Sequence, residues 1–184
     1  MVGHGVLSAV ALTVVTGVWA ILPAYVPNSV AVLVGGGPPI DGGRTWRGTR
    51  LLGDGKTWRG FVGGTLGGTL VALAMNAVRP TLAPALPAFP PAAVLTLPLG
   101  AMLGDAAGSF LKRRLGRERG APAPVLDQLG FVAVALGLTL VVAPVWTLAT
   151  FTLPVLAAVL LLTPLAHLLT NVGAYLLGLK AEPW

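Results

Sequence analysis

The sequence predicts an all-α membrane protein with five transmembrane helices, and three observations lead to that prediction. Of the 184 residues, 55% are hydrophobic and only 10% are charged, whereas charged residues make up roughly a quarter of an ordinary soluble domain. The apolar residues form five stretches, each of a length near the ~20 residues that cross a bilayer. The cations lie between these stretches. This composition excludes disorder, and the absence of cysteine excludes disulfide scaffolds and cysteine-bound metal sites.

The five predicted spans follow one another in a single transmembrane domain, residues 1–184. The first is interpreted as a retained helix rather than a signal peptide, because no lysine or arginine precedes it and its apolar run is too long. Prolines lie inside or at the ends of several spans, where neighbouring helices can satisfy the freed carbonyl groups. The spans cover about residues 6–34, 61–78, 92–111, 129–149 and 153–179, with loops at about 35–60 and 112–128.

The distribution of charge predicts the orientation. The first loop holds five cations, the second holds five, and Lys180 follows the last span. With five crossings these three regions share one side of the membrane, and Arg79 is the one cation opposite. Since cytoplasmic loops carry the excess of lysine and arginine, both basic loops are predicted to be cytoplasmic and the N-terminus outside. All six acids also fall at cytoplasmic ends, so function is expected on that surface.

Glycines recur at short spacing in the second and third spans. Span two contains Gly63-Gly64-Thr65-Leu66-Gly67-Gly68, and span three has Gly100, Gly104 and Gly108 four residues apart. Small residues at this spacing let helix backbones approach closely. The pattern predicts tight packing of helices two and three. It is also compatible with space for a ligand beside Asp105.

The first basic loop contains a repeated unit. Gly43-Arg-Thr-Trp-Arg-Gly48 and Gly55-Lys-Thr-Trp-Arg-Gly60 lie twelve residues apart, with Asp41 and Asp54 close by. Glycines let a backbone wrap an anion, and arginine and lysine donate charge-assisted hydrogen bonds to phosphate. Interfacial tryptophans and positive-inside charge are the alternative interpretation. The expected nucleotide- or phosphate-binding residues are Asp41, Arg44, Asp54, Lys56, Thr57 and Arg59, together with Ser109 and Arg113 at the end of span three.

The end of span three carries the sharpest signal. Asp105, Ser109 and Lys112 are spaced i, i+4, i+7 and therefore share one face of a helix. Asp105 lies ~10 Å inside the end of the span, and a carboxylate at that depth is costly unless it is paired or bound to a metal. Asp127 begins span four, so an antiparallel hairpin brings both carboxylates to one end.

Two hard oxygen ligands among phosphate-binding cations predict a magnesium–nucleotide site. In this interpretation Asp105 and Asp127 bind the metal, and Lys112 joins them as the third catalytic residue. The alternative is an ion pair between Asp105 and an arginine or lysine that stabilises the hairpin of spans three and four.

These motifs resemble a known family. Asp105-x3-Ser109-x2-Lys112-Arg113, a proline-containing basic loop and Leu126-Asp127 resemble the membrane CTP:phosphatidate cytidylyltransferases, most closely their short archaeal branch, the CDP-archaeol synthases. The glycine-rich loop from residue 39 to 60 is similar to the first loop of that branch. The segment from His167 through Asn171 to residue 180 also fits, so the resemblance covers most of the chain. After Arg113 and after Asp127 the chain departs from the bacterial signature, and a second metal site of the bacterial kind is not predicted.

The resemblance implies an enzyme that transfers CMP from CTP to an unsaturated archaeal ether lipid phosphate, 2,3-di-O-geranylgeranylglyceryl phosphate. The products would be CDP-archaeol and pyrophosphate, with Mg²⁺ as cofactor. The implied partners are CTP, the lipid phosphate and membrane lipids, but no nucleic acid, in a multi-pass protein of the cell membrane. The charge agrees with this, because two phosphate-bearing substrates repel each other and need concentrated positive charge.

Two other functions are consistent with the residues. A CTP-dependent polyprenol kinase also needs a nucleotide, magnesium and a lipid pocket, but it releases CDP rather than pyrophosphate. A small non-enzymatic transporter or scaffold is the second, although transporters place polar sites near the midplane. His167 and Asn171, one turn apart in span five, are expected either to hydrogen-bond between helices or to contact the lipid substrate.

Overall fold

The computed structural model describes residues 2–117 and 123–179, and this part of the chain is almost entirely helical. Its elements are α1 (Val2–Val34), β1 (Thr45–Trp46), β2 (Thr49–Arg50), α2 (Trp58–Leu82), α3 (Pro91–Arg114), α4 (Pro124–Val142), α5 (Pro144–Thr150) and α6 (Leu153–Leu176). Five of the helices are long and apolar enough to cross a membrane. The predicted all-α fold with five spans is confirmed. Lys180 and residues 118–122 of the second loop lie outside the described residues.

Two helix ends extend into the predicted loops. Thr57 caps α2, because its side chain accepts a hydrogen bond from the backbone N–H of Gly60 at 3.2 Å. At the other loop, α3 continues to Arg114, so three basic residues assigned to the loop form the last helical turn. Cations at that position interact favourably with the negative end of the helix dipole.

The fourth predicted span, residues 129–149, is wrong as a single helix. α4 ends at Val142 and α5 begins at Pro144, with Ala143 between them. Proline has no backbone N–H and its ring obstructs the preceding turn, so the helical ladder stops there. The crossing is made by α4 alone, and α5 is a short helix at the end of the bundle remote from the basic loops.

α3 is the most buried of the candidate spans, and it packs against α1, α2 and α4. The fully buried side chains of the core come mainly from α1, α3 and α4 and include Ile21, Leu97 and Val132. Exposed leucines and valines cover the outside of the bundle, as expected for helices that face lipid. The helix that carries Asp105, Ser109 and Lys112 is therefore held by neighbours on several sides.

The glycines of α2 let that helix pack closely against both α1 and α3. A Cβ at Gly64 would come within 2.7 Å of the Pro27 carbonyl oxygen on α1 and 2.8 Å of Met102 Sδ on α3. A Cβ at Gly68 would lie 2.5 Å from Pro98 Cβ on α3. These approaches require glycine, so the predicted close contact with span three is present and is shared with α1.

The glycines of α3 have a different partner from the predicted one. A Cβ at Gly100 would lie 2.6 Å from the Ala135 Cα, and one at Gly104 would lie 2.6 Å from the Phe131 Cα. Both partners belong to α4, so the small-residue face of α3 packs on α4 rather than on α2. α4 thus occupies the space beside Gly100 and Gly104, whereas Ala106 and Ala107, which follow Asp105, line a cavity.

Candidate active site

The first basic loop folds around one buried carboxylate. The side chain of Asp41 is 1% exposed and accepts hydrogen bonds from Arg50 Nε and Nη2 and from the backbone N–H groups of Gly43, Leu52 and Gly53, at 2.7–3.2 Å. The Arg50 guanidinium, with these backbone donors, holds the pKa of the carboxyl well below its usual range. Five donors fill the acceptor positions of the carboxylate. These acceptors are therefore used within the loop, and binding of the nucleotide by Asp41 stays a prediction.

The repeated hexapeptide of this loop adopts two different structures. In the first copy Thr45–Trp46 pairs with Thr49–Arg50 in an antiparallel hairpin, and the turn residues Arg47 and Gly48 have φ values of 53° and 77°. Positive φ at both central residues is the requirement of the tight hairpin turn that suits strand twist. In the second copy Thr57 caps α2 and Trp58 begins it. Only the second copy is followed by an apolar stretch that continues as a helix. The two copies therefore do not form two equivalent phosphate-binding units.

Arg114 attaches the hairpin to the end of α3. Its Nη1 donates to the Trp46 carbonyl at 2.8 Å, and its Nη2 donates to the Thr49 and Arg50 carbonyls at 3.1 and 2.9 Å. The guanidinium also lies 5.2 and 5.4 Å from the ring centroids of Trp46 and Phe110, within cation–π distance. The sequence analysis missed this role. Its one signal is the position of Arg114 in the basic cluster that ends span three.

Two lysine–aspartate pairs join the elements of the candidate site. Lys56 Nζ from the first loop lies 2.5 Å from Asp105 Oδ2 on α3, and Lys112 Nζ on α3 lies 2.6 Å from Asp127 Oδ1 in α4. The other oxygen of Asp127 accepts the backbone N–H of Ala123 at 2.9 Å. The four paired side chains are 18–29% exposed. They are partly shielded and still open to a ligand from the loop end.

Both pairs lie on the same face of α3, because Asp105 and Lys112 are seven residues apart, or ~10 Å along the helix axis. Ser109 lies between them on that face and is buried. The ion pair that was the alternative interpretation for Asp105 is present, and its partner is Lys56 of the first loop. The alternative placed this pair in the hairpin of spans three and four, whereas Lys56 joins α3 to the first loop.

The residues present fit a magnesium ion that shares its shell with phosphate. Within residues 2–117 and 123–179 no three histidine, cysteine or acidic side chains form a group that would hold a metal by themselves. Mg²⁺ seldom uses such a cage and commonly takes one or two carboxylates, with phosphate oxygens and water completing the shell. Asp105 and Asp127 supply that number of carboxylates beside two lysines.

The remaining predicted phosphate-binding residues divide into two groups. Asp54 pairs with Arg50 at 2.6 Å, and Arg113 donates to the Arg117 carbonyl. Arg44 and Arg59 are exposed. A cavity of about 400 Å³ separates the loop from α3, and its lining includes Asp41, Arg44, Leu51, Leu52, Ala107 and Phe110. The exposed arginines are therefore positioned at the loop surface, away from the core of the loop.

His167 and Asn171 contact each other within α6. Asn171 Nδ2 lies 3.1 and 3.2 Å from the two ring nitrogens of His167. Both side chains are half-buried. The described contact is thus within one helix, one turn apart, and a contact with the lipid substrate stays a prediction.

Known proteins resemble the chain over nearly its whole length. The family model described as CarS-like, CDP-archaeol synthase, matches residues 10–184. The CDP-archaeol synthases of Halobacterium salinarum and Halorubrum lacusprofundi are 64% and 60% identical to it, over 94% and 93% of this chain and 97% of each relative. A solved structure described as an intramembrane enzyme for archaeal membrane lipids biosynthesis is 35% identical, with a TM-score of 0.69, and covers 84% of this chain and 92% of that one.

Proposed function

The chain belongs to the CDP-archaeol synthase family, and from that premise we propose how its residues perform the reaction. It is a multi-pass membrane enzyme of archaeal lipid biosynthesis, a cytidylyltransferase. Polyprenol kinase and transporter functions are not supported by the relatives named above. The proposal is that CTP, Mg²⁺ and 2,3-di-O-geranylgeranylglyceryl phosphate meet on the cytoplasmic side, at the face of α3 that carries Asp105 and Lys112.

The observation that carries the proposal is the pairing of Lys56 with Asp105 and of Lys112 with Asp127 on that face. A magnesium–triphosphate carries both a cation for the aspartates and anionic oxygens for the lysines, so it can displace both pairs. On binding, each lysine transfers its ammonium from a carboxylate to phosphate oxygens. Asp105 and Asp127 would then be the residues that hold Mg²⁺. The lysines and aspartates would thus replace one another by phosphate and Mg²⁺, and no charge would be left unpaired.

The chemistry required of the protein is positioning and charge neutralisation. An oxygen of the lipid phosphate attacks the α-phosphorus of CTP, a new P–O bond forms, and the bond to the β-phosphate breaks to release pyrophosphate. The attacking oxygen is already anionic, so no general base is needed. Bound Mg²⁺ would neutralise charge on the leaving pyrophosphate. Lys56 and Lys112 hold the phosphates against their mutual repulsion, and the lipid chains stay in the bilayer.

The test is pyrophosphate release by the purified protein with CTP, Mg²⁺ and the lipid phosphate. Asp105→Asn and Asp127→Asn keep the side-chain shape and remove the charge, so each should lower turnover at least a hundredfold and weaken metal-dependent CTP binding. Arg47→Gln is the control, because it removes one charge from the exposed hairpin turn and should leave turnover near that of the unchanged protein.

The outcomes separate the alternatives. Release of CDP in place of pyrophosphate would identify a kinase. If either asparagine variant keeps near-normal turnover and magnesium dependence, that aspartate is not a metal ligand and the ion-pair interpretation is right for it. Asp54 would then be the next candidate. Lys112→Ala should raise the KM for CTP without unfolding the protein, whereas unchanged kinetics would assign Lys112 to structure alone.

A further inference from the structure

A second cavity lies at the end of the bundle opposite the basic loops. Its volume is about 590 Å³, within the ~300–1,000 Å³ of small-molecule sites. α1, the segment between α2 and α3, α5 and the start of α6 form its walls. Its polar lining includes Arg79, Thr16, Trp146 and Thr150. None of these residues belongs to the candidate active site, so the cavity has a separate chemistry.

Arg79 is held in the wall of this cavity, and no acidic side chain within residues 2–117 and 123–179 forms an ion pair with it. Its Nε donates to the Leu86 carbonyl at 2.5 Å and its Nη2 to the Pro84 carbonyl at 3.0 Å. These neutral acceptors fix the plane of the guanidinium and do not cancel its charge. The acids that the structure describes all lie at the loop end of the bundle. The guanidinium has further N–H donors that can bind an anion in a planar, bidentate manner.

The rim of the cavity faces the bilayer. Leu12 on α1, which lines the cavity, is 52% exposed, and Leu153 on α6, next to the lining residue Thr152, is 80% exposed. Trp146 donates its indole N–H to the Ala88 carbonyl at 2.7 Å, and tryptophan at this depth is typical of a membrane–water interface. A ligand that satisfies both the cation and the apolar rim must have an anionic head and hydrocarbon chains.

We propose that this cavity binds the phosphate headgroup of an anionic membrane lipid. Arg79 provides the counter-charge, the threonine hydroxyls and Trp146 line the headgroup, and the chains lie along the exposed apolar surfaces of α1 and α6. The site is structural or regulatory rather than catalytic, because it is a full span away from Asp105 and Lys112.

The test compares lipid retention by native mass spectrometry after the protein is exposed to equal amounts of phosphatidylglycerol, which is anionic, and phosphatidylcholine, which is zwitterionic. The two basic loops also attract anionic lipid, so a variant with the same loss of charge at that end is needed. Arg79→Gln and Arg47→Gln are this matched pair. Arg47→Gln should keep the preference of the unchanged protein for the anionic lipid, and the preference of Arg79→Gln should be about fivefold lower, the scale of one arginine at an anionic surface.

Arg79→Lys should recover part of the preference that Arg79→Gln loses. A second readout locates the lipid, because the chain has no cysteine. Alkylation of Thr152→Cys, in the cavity wall, should be slowed by phosphatidylglycerol, and the protection should disappear when Arg79→Gln is added. Equal lipid retention by the two glutamine variants, or protection that is independent of Arg79, would overturn the proposal. Pyrophosphate release should be unaffected by Arg79→Gln.

Discussion

Lysine and arginine have different roles at the loop end of the bundle. Lys56 and Lys112 each contact one carboxylate through Nζ, whereas Arg50 and Arg114 each hold several acceptors with the planar guanidinium. An ammonium on a flexible stem changes partner easily, and a guanidinium fixed by three hydrogen bonds does not. We propose that Arg50 and Arg114 hold the shape of the loop. Lys56 and Lys112 would exchange their carboxylate partners for substrate phosphate.

Asp41 tests this assignment for the loop. Asp41→Asn should loosen the loop and accelerate tryptic cleavage after Arg44 and Arg47 at least tenfold, because an amide cannot accept the same five hydrogen bonds and leaves Arg50 without its buried partner. Asp54→Asn is the matched control. It removes an exposed carboxylate from the same arginine and should change the cleavage rate less than twofold. Equal effects of the two variants would contradict a central role for Asp41.

The pKa of Asp41 adds a condition to this prediction. Its pKa is lower in the folded protein than its ordinary value of ~3.9, chiefly because of Arg50. The stabilisation is therefore present above pH ~4 and is lost as the pH falls through the folded-state pKa. The slow cleavage of the unchanged loop should be constant from about pH 5 to pH 8, when corrected for the activity of trypsin on a peptide standard.

At the scale of elements, the position of the hairpin depends on the last turn of α3. Trp46 stacks on Phe110 with ring centroids 6.2 Å apart, and Arg114 binds three hairpin carbonyls from the same turn. Arg44 and Leu51, which flank the hairpin, line the cavity under the loop together with Phe110 of α3. Movement of the hairpin would change the distance between the loop arginines and the face of α3 that carries the candidate site.

Arg114→Lys should release the hairpin while keeping the positive charge. A lysine cannot span three carbonyls or stack in the same way, so amide exchange of residues 44–51 should rise at least tenfold. The KM for CTP should rise more than kcat falls, because the chemical groups on α3 are unchanged. Arg47→Lys, in the exposed turn of the same hairpin, is the control and should leave both measurements unchanged. If Arg114→Lys also leaves amide exchange unchanged, Arg114 does not hold the hairpin.

At the scale of the whole molecule, the bundle has two chemically different ends. The lysine–aspartate pairs, the hairpin and the glycine-rich loop lie at one end, and Arg79 is the one cation that the structure describes at the other. α3 connects the ends and is the most buried of the candidate spans. A buried central helix is a suitable support for the charged groups of the candidate site, because packing against its neighbours holds their spacing.

The orientation in the membrane should follow the charge. Arg47→Cys and Arg117→Cys, introduced singly into a chain without cysteine, should react with a membrane-impermeant maleimide only from the cytoplasmic side, because cytoplasmic loops carry the excess of cations. Thr81→Cys at the other end of α2 is exposed and should react only from outside. Labelling of Arg47→Cys or Arg117→Cys from outside would overturn the cytoplasmic site.

Five apolar stretches of spanning length determine the number of helices, because the cost of placing a segment in lipid depends on the composition of that segment alone. The positions of Asp105, Ser109 and Lys112 on one face follow from helical periodicity in the same local way. The break at Pro144 is also determined by the local sequence. The residues on both sides of it are apolar, so hydropathy predicted one continuous span there.

Only the tertiary structure decided which surfaces meet. The partner of Asp105 is Lys56, which is 49 residues away in the chain. The glycines of α3 pack against α4. The two copies of the hexapeptide adopt different structures. Asp41 accepts the hydrogen bonds around which the first loop folds, and Arg114 attaches the hairpin of that loop to α3. These outcomes depend on contacts between segments far apart in the chain, and local periodicity contains no information about which faces pack together.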